Sequence, residues 1–484
     1  MSKTAALAKN TLLIAISRIS TQLVMFFMLP LYTATLSTGE YGTADLIMTY
    51  AGLFAPLIML NVQQAIFRYL IDVRSDQDAQ RKVITNAVEI TAIVSLAIAA
   101  IYFIANLFMD IPLAATMAFY FASFIFGDLV LQIARGLGRT KAFAITGIAQ
   151  GLLTVVLNLV FMLHMQMGAG GMLLGIALGI LVPSIVLAIV IGAHHSIKLT
   201  ARDRATKKQL LAFSLPLIPN TISWWVFNAS DRTIITIALG VAANGIYAVT
   251  NKFANIANSF GSIFYASWSE SAVLAINDPD RDEFFSSVAN TTLRAFSTLG
   301  ILVMSATPII FPFLVNEKYS EALLYLPILI LGTIFNTVVS FYSAIYIAKK
   351  LTKQVTNTSI AAAVINLVVN LGLIWFIGIW AAAISTAVAY GGMAIYRYHD
   401  MKRYVNITYD YMLFAILTFA FVLVSTLYYV NHPTLNILNA LIALVLSIAL
   451  NRSTIGVIKT KLLARRHPLA AEQHIFEEIE EKKL

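Results

Sequence analysis

The sequence predicts an all-α membrane protein of about 14 transmembrane helices, arranged as two parallel-repeat six-helix lobes followed by two C-terminal helices. Three observations predict this class: the composition, the spacing of the basic loops and an internal repeat. Of the 484 residues, 59% are apolar and only 12% are charged, and the mean hydropathy is +0.79. Soluble domains carry about 25% charged residues, so the lipid bilayer is the predicted surrounding of this chain.

Apolar windows long enough to cross a bilayer recur along the chain. A hydrocarbon core about 30 Å thick needs roughly 20 helical residues, and strand-like alternation is absent, which favours helices over a barrel. The first window, Thr11–Leu31, is too long for a signal peptide, so we expect it to be retained. We number the predicted spans 1 to 14; they centre near residues 22, 55, 95, 123, 153, 182, 225, 259, 300, 334, 366, 388, 419 and 444.

Basic residues concentrate in every second connection, and the intervening loops carry only Lys318. The positive-inside rule then predicts cytoplasmic N- and C-termini and an even number of spans. The net charge of +9 is therefore a topology signal that also favours anionic lipid, and no nucleic acid partner is expected. The basic segments are Lys3 with Lys9, 68–82, 135–141, 198–208, Arg281 with Arg294, 349–353, 397–403, and the chain after Arg452.

Short matches between the two halves indicate a repeat. Leu36–Gly42 after span 1 resembles Leu239–Gly245 after span 7, and Ile133–Arg139 at the end of span 4 resembles Ile347–Lys353 at the end of span 10. An offset of six spans is even, so the repeats share one orientation around an axis along the membrane normal. The predicted divisions are an N-lobe (1–194), a cytoplasmic linker (195–209), a C-lobe (210–400), spans 13 and 14 (401–456) and a cytoplasmic amphipathic tail (457–484).

The order and spacing of several short motifs resemble those of the bacterial polysaccharide transporter, or oligosaccharide flippase, family. This family belongs to the multidrug/oligosaccharidyl-lipid/polysaccharide exporter superfamily. The motifs are Pro30–Tyr32, Glu40–Gly42 and Arg135–Lys141 in the first half, and Asn228–Ile235, Leu239–Gly240 and Gly245–Tyr247 in the second.

The resemblance implies a flippase rather than an enzyme. It implies translocation of an undecaprenyl-diphosphate-linked oligosaccharide from the cytoplasmic to the outer leaflet by alternating access, during O-antigen, capsule or exopolysaccharide synthesis. The implied location is the bacterial cytoplasmic (inner) membrane. The implied partners are the lipid-linked oligosaccharide, membrane lipids, and the polysaccharide polymerase with its chain-length machinery; no cofactor is implied.

Such a substrate has a diphosphate that is costly to desolvate, so the transporter needs sheltered cations. Arg18 in span 1, Arg232 in span 7 and Lys252 in span 8 are the predicted cavity cations, and Arg68 at the end of span 2 could extend them. Arg18 and Lys252 are candidate phosphate ligands. Arg68 could instead be an interfacial anchor, and Lys252 could instead pair with Asp231 at matching depth.

Polar residues at helical spacing form stripes on spans 1, 2, 7 and 8, and we expect them to line the same lumen, although any one could simply join neighbouring helices. The predicted lining residues are Gln22, Asp45, Gln63, Asn220, Trp224, Asn228, Asp231, Asn255 and Ser259.

Acidic residues in the spans are candidates for ion coupling, because a carboxyl group in a low dielectric takes up a proton more readily. Glu89 in span 3 and Asp128 in span 4 are the two candidates. Asp128 could instead form a local network with Gln132 and Arg135, which share its helix face. No metal site is expected, since the chain has no cysteine and no HExxH or His/Asp/Glu cluster.

Three alternatives stay open. A drug or cation antiporter of the same superfamily would be expected to have an acid-centred cavity, and a flippase for a teichoic-acid or peptidoglycan lipid precursor would use similar chemistry. A polytopic glycan polymerase would be expected to carry a large outer loop, whereas the outer connections here look short. The absence of a Gly-x-x-x-x-Gly-Lys-Ser/Thr motif argues against an ATP-driven pump.

Overall fold

The computed structural model describes residues 26–109 and 111–466, without the side chains of residues 199, 220, 223–228 and 266 and of nearly all residues after 452. This part of the chain is helical and contains no strand. The helices are α1 Leu29–Thr35, α2 Thr38–Ile58, α3 Val62–Asp72, α4 Gln77–Phe108, α5 Ala114–Gly136, α6 Thr140–Asn158, α7 Gly168–Val190, α8 Ala193–Ser196, α9 Arg204–Ser214, α10 Ile218–Leu239, α11 Val241–Ala275, α12 Arg281–Leu314, α13 Ala322–Ala348, α14 Thr352–Ile377, α15 Trp380–Met401, α16 Tyr411–Val430 and α17 Pro433–Arg466.

The predicted all-α membrane fold is confirmed in this part of the chain. Each predicted span centre from residue 55 onward falls inside a helix, while the centre of span 1 lies outside the described residues. Nine described helices are long and apolar enough to cross a membrane, or ten if the bent pair α2 and α3 counts as one span. Helices α10, α11 and α15 are also of spanning length, but they do not belong to this apolar set.

Span 2 is broken rather than continuous. Helices α2 and α3 meet at an angle of 57°, and Leu60 and Asn61 between them have positive φ angles of 52° and 56°. Pro56 precedes the break, and it lacks the backbone N–H that a continuous helix requires. At the other end, Ser37 and Glu40 form a capping box that fixes the start of α2.

The helices pack into two compact units. The first consists of the described residues up to Lys252 with Pro312–Tyr325 and Thr356–Ala389, and the second of Phe253–Phe311, Leu326–Val355 and the described residues from Tyr390 onward. These units group residues by packing and do not follow the predicted lobe boundaries, so the division into lobes, linker and tail stays a prediction.

Each unit has its own apolar core. In the first, side chains such as Met59, Ile66 and Leu129 join α2, α3, α4, α5 and α9. In the second, Trp268 stacks on Phe341 with ring centroids 5.0 Å apart, and its indole N–H donates to the Phe341 carbonyl oxygen at 3.0 Å. Buried aromatic pairs of this kind contribute about 0.5–1.5 kcal/mol beyond their area burial.

Within the first unit, helices of the two predicted lobes meet near their outer ends, where "outer" refers to the orientation that the basic loops predict. A Cβ atom added at Gly42 of α2 would lie 1.9 Å from the Val241 carbonyl oxygen, and one added at Gly245 of α11 would lie 2.0 Å from the Thr38 carbonyl oxygen. The Asn244 side chain also donates to the Gly42 carbonyl oxygen at 2.9 Å. Only glycine permits this backbone approach.

The connection between the two halves is fixed to α4. Helix α9 begins at an N-cap, Asp203, whose carboxylate accepts hydrogen bonds from Thr206; these bonds hold the pKa of Asp203 below its usual value. Asn86 of α4 accepts from the Asp203 backbone N–H at 3.0 Å. Glu89 of α4 pairs with Lys207 at 2.8 Å and Arg202 at 3.1 Å. The linker therefore rests on α4 through charged and neutral contacts together.

We predict that Gly42→Ala lowers the thermal unfolding midpoint of the purified protein strongly, because the added methyl group forces α2 away from α11. Overpacking of this severity costs about 3 kcal/mol or more. Gly52→Ala on the same helix is the matched control: its Cβ would meet nothing within 4 Å, so stability should rise by about 0.5–1 kcal/mol. Equal midpoints for the two variants would contradict the close approach.

We predict that Glu89→Gln destabilises the protein by roughly 1–3 kcal/mol, since it leaves two linker cations without their partner in a partly buried position. Glu283→Gln, at an exposed position of α12, should be within about 0.5 kcal/mol of the parent. Thermal unfolding followed by intrinsic fluorescence measures both. An unchanged midpoint for Glu89→Gln would show that the pairs contribute nothing to stability.

Candidate functional site

Part of the predicted site falls within the described structure. Arg18 and Gln22 lie outside the described residues, and the side chains of Asn220, Trp224 and Asn228 on α10 are likewise not described. Four of the remaining predicted residues lie in one region of the first unit: Asp45, Asp231, Arg232 and Lys252.

Asp45 and Arg232 form a buried ion pair between α2 and α10. The Arg232 Nε and Asp45 Oδ2 atoms are 2.7 Å apart, and the side chains are 19% and 4% exposed. Asp45 lies about two turns after the start of α2 and Arg232 about two turns before the end of α10, so their depths match. Neither of these two atoms has a regular hydrogen bond within the described structure. The pair therefore rests on charge attraction rather than on a saturated hydrogen-bond network.

Lys252 lies on α11 near this ion pair. Within the described part of the chain, Asp45 and Arg232 are the charged groups that act on it electrostatically, and its side chain is partly buried. Among the described residues, no carboxylate lies within the 4.0 Å of an ion pair from its ammonium group. Asp45 thus faces both cations, and Asp231 is a second carboxylate that acts more weakly on Arg232.

Asp231 faces a different set of partners. Its carboxylate accepts hydrogen bonds from Asn370 of α14 at 2.7 Å, from Thr386 of α15 at 2.9 Å and from Tyr247 of α11 at 3.1 Å. Only 5% of Asp231 is exposed. In this structure Asp231 forms no ion pair with Lys252 within 4.0 Å, and three neutral donors hold its carboxylate.

A second layer of polar side chains supports Asp231. Asn366, one turn before Asn370, donates to Ser385 at 3.2 Å and accepts from Ser230 at 3.3 Å. The side-chain oxygen of Asn370 has no hydrogen bond to any described residue. Carboxylate, amide and hydroxyl oxygens of this kind suit a proton or a small alkali cation. Sequence reasoning missed Asn366, Asn370 and Thr386, although a spacing of four within an apolar span could have revealed the two asparagines.

Four other predicted residues have contacts of their own. Arg68 is exposed on α3 and pairs with Asp72 at 2.5 Å, which favours the interfacial-anchor interpretation. Gln63 is buried at the start of α3, and its side-chain oxygen has no partner among the described residues. On α11, Asn255 is exposed, and its backbone oxygen accepts from Ser259 at 2.7 Å.

Both predicted coupling acids have local partners. Glu89 is neutralised by the two linker cations described above, which favours a structural role. Asp128 accepts from Gln132 at 3.2 Å, and Arg135 donates to Gln132 at 3.0 Å. The Arg135 guanidinium also lies 4.5 Å from the centre of the Phe67 ring. The predicted local network around Asp128 is therefore present.

Solved structures of membrane transporters share this fold at low sequence identity. A structure titled lipid II flippase MurJ, inward closed conformation, superposes with a TM-score of 0.66 at 15% identity and covers 93% of this chain and 100% of that chain. An inward-facing multidrug resistance MATE family transporter of the MOP superfamily superposes with 0.61 at 13% identity, covering 80% and 98%. A MOP superfamily transporter from Pyrococcus furiosus superposes with 0.55 at 14% identity, covering 82% and 95%.

Comparison with curated protein sequences gave no significant match. A family model described as polysaccharide biosynthesis protein matches residues 7–268, which is more than half of the 484 residues. The structural matches are below 25% identity and establish the shared transporter fold. The chain therefore belongs to the polysaccharide biosynthesis protein family and has the fold of the MOP superfamily of membrane transporters.

Proposed function

We propose that the chain is a flippase that moves an undecaprenyl-diphosphate-linked oligosaccharide from the cytoplasmic to the outer leaflet by alternating access. The observation that carries the proposal is the pair of cations, Arg232 and Lys252, that lie beside the Asp45 carboxylate on helices of spanning length. A charge at the centre of a membrane helix costs about 2.5–3.5 kcal/mol on insertion scales. Such cations are retained where a negatively charged group binds them, and the diphosphate of the proposed substrate is such a group.

The family and the fold support a lipid-linked substrate. The family model that matches is described as polysaccharide biosynthesis protein, and one protein with a similar fold is a lipid II flippase. In the proposed setting the protein lies in the bacterial cytoplasmic membrane with both termini inside. It would supply O-antigen, capsule or exopolysaccharide assembly and work beside a polymerase and its chain-length machinery.

The exposed polar stripe on α11 supports contact with a glycan. Asn255 and Ser262 are exposed within this membrane-spanning helix, and Asn258 donates to the Asn255 side-chain oxygen at 3.3 Å. Exposed amides and hydroxyls are unfavourable against lipid and favourable against water or sugar hydroxyls. We propose that Asn255 and Ser259 line the path of the oligosaccharide.

We also propose that Asp231, rather than Glu89 or Asp128, binds the coupling cation. Asp231 is the buried carboxylate that joins α10, α11, α14 and α15 through neutral donors, whereas Glu89 is already paired with two cations. A proton or alkali cation bound there would change how these four helices attract one another. That is what an ion must do to bias a conformational equilibrium.

A drug or cation antiporter is the second candidate. The similar folds include multidrug MATE transporters, and Asp45 and Asp231 are the carboxylates that such a substrate would use. The presence of Arg232 and Lys252 beside Asp45 favours an anionic substrate instead, because a cationic drug would meet two like charges there.

We predict that Lys252→Gln lowers the flipping of an undecaprenyl-diphosphate oligosaccharide in proteoliposomes by roughly tenfold, which corresponds to losing about 1.4 kcal/mol of binding. Lys252→Arg should retain most of the rate because it keeps the charge. Lys318→Gln, which removes an exposed loop cation, is the matched control and should behave as the parent. Efficient export of ethidium without any flipping by the folded parent would favour the antiporter.

A teichoic-acid or peptidoglycan lipid precursor offered in the same assay separates the in-class alternatives. Preferred transport of one of these lipids over undecaprenyl-diphosphate oligosaccharides would reassign the substrate while keeping the flippase activity.

We predict that Asp231→Asn abolishes the dependence of flipping on an imposed proton or sodium gradient, because the variant can neither take up a proton nor neutralise a cation. Asp128→Asn, which tests the acid predicted in span 4, should keep that dependence. The measurement is the initial flipping rate with and without each gradient. Loss of the dependence in Asp128→Asn but not in Asp231→Asn would reverse the assignment.

A further inference from the structure

We propose that Asp45 is an internal stand-in for the phosphate of the substrate. Its carboxylate neutralises Arg232 while the site is empty, and a diphosphate displaces it. This exchange releases α2 from α10 and lets the outer ends of these helices separate. The inference rests on the proposed function only for the identity of the anion.

The position of the ion pair makes it able to hold the outer ends together. Asp45 lies one turn along α2 from Gly42, where α2 and α11 are in close backbone contact. Further along α2, the Tyr50 hydroxyl lies 3.2 Å from that of Thr233, the residue after Arg232. The ion pair thus lies along α2 between two neutral contacts, one with the start of α11 and one with α10. It is the contact in this group that an anion can disrupt.

The charges around the ion pair favour an exchange. Arg232 and Lys252 together carry two positive charges; the negative charge of Asp45 acts on both, and that of Asp231 acts more weakly on Arg232. A diphosphate carries at least two negative charges and several acceptor oxygens. A guanidinium can hold phosphate oxygens with two parallel N–H donors.

The net strength of the ion pair is suited to displacement. Desolvating two charges offsets most of their attraction in a buried pair. The Asp45–Arg232 pair therefore adds little to the free energy that holds α2 against α10. Asp231 is a poorer candidate for displacement, although it is adjacent to Arg232 in sequence. Three donors hold its carboxylate, and all three would have to be broken.

The exchange also supplies the link between binding and movement. A ligand shifts a conformational equilibrium only by its different affinities for the two states. With Asp45 bound to Arg232, the diphosphate must compete; once α2 has moved away, it binds both cations without competition. The anion therefore favours the separated state.

A disulfide reporter can measure separation of the outer ends, because the chain has no cysteine of its own. A Cβ atom at Gly39 would lie 4.0 Å from Val241 Cγ2, so Gly39→Cys with Val241→Cys forms the parent reporter. The protein in nanodiscs is oxidised, and the disulfide yield is measured alone and with undecaprenyl diphosphate, undecaprenol or inorganic diphosphate. Native mass spectrometry records binding of undecaprenyl diphosphate in parallel.

We expect undecaprenyl diphosphate to lower the disulfide yield of the parent at least threefold and undecaprenol to leave it unchanged. A smaller fall with inorganic diphosphate would show that the anion acts and that the lipid adds affinity. Asp45→Asn in the reporter should give a low yield without any ligand, and Asp45→Glu should keep the response. Asp78→Asn, which breaks an exposed ion pair with Arg81, is the matched control and should behave as the parent.

Undecaprenyl diphosphate that binds the parent without changing its disulfide yield would overturn the exchange and leave the proposed function intact. Failure of the parent to bind undecaprenyl diphosphate would overturn both. A yield of Asp45→Asn equal to that of the parent would also overturn the exchange. The titration of the parent decides the outcome even where Asp45→Asn does not fold.

Discussion

A hydrocarbon layer cannot solvate charge, and this constraint governs how the polar residues of the chain are arranged. Three described acids inside the helices have specific partners: Asp45 pairs with Arg232, Glu89 with two linker cations, and Asp231 with three neutral donors. These contacts join different helices. Removing one partner of a buried ion pair lowers stability by roughly 3–5 kcal/mol. The polar contacts therefore specify which helices pack together, which apolar surfaces alone would not do.

The same constraint connects the fold to the proposed transport. In the proposed mechanism, the anion binds to the two cations beside Asp45, and the coupling cation binds to the Asp231 carboxylate, which accepts its hydrogen bonds from neutral donors. The anion site lies between α2, α10 and α11, and the cation site between α10, α11, α14 and α15. Helices α10 and α11 take part in both. An anion and a cation binding to one pair of helices would influence each other's affinity reciprocally.

Hydropathy predicted the described spans because the bilayer imposes one length and one polarity on any helix that crosses it. It did not predict the break between α2 and α3, where Leu60 and Asn61 take positive φ angles. Hydropathy also separates α10, α11 and α15 from the more apolar spans. Those three helices carry Asp231, Lys252 and Thr386, so departure from the apolar pattern marks the candidate site.

The sequence by itself determined the helices, their approximate centres and the residues that are too polar for lipid. It also placed Asp45, Asp231, Arg232 and Lys252 among the candidates, since each is an ionisable residue within a span. Only the tertiary structure decided the partners: Asp45 takes Arg232, and Asp231 takes Asn370 from a helix more than a hundred residues away. The reason is physical. Hydropathy and helical spacing fix the depth and face of a residue on its own helix, whereas the partner depends on which helices pack side by side.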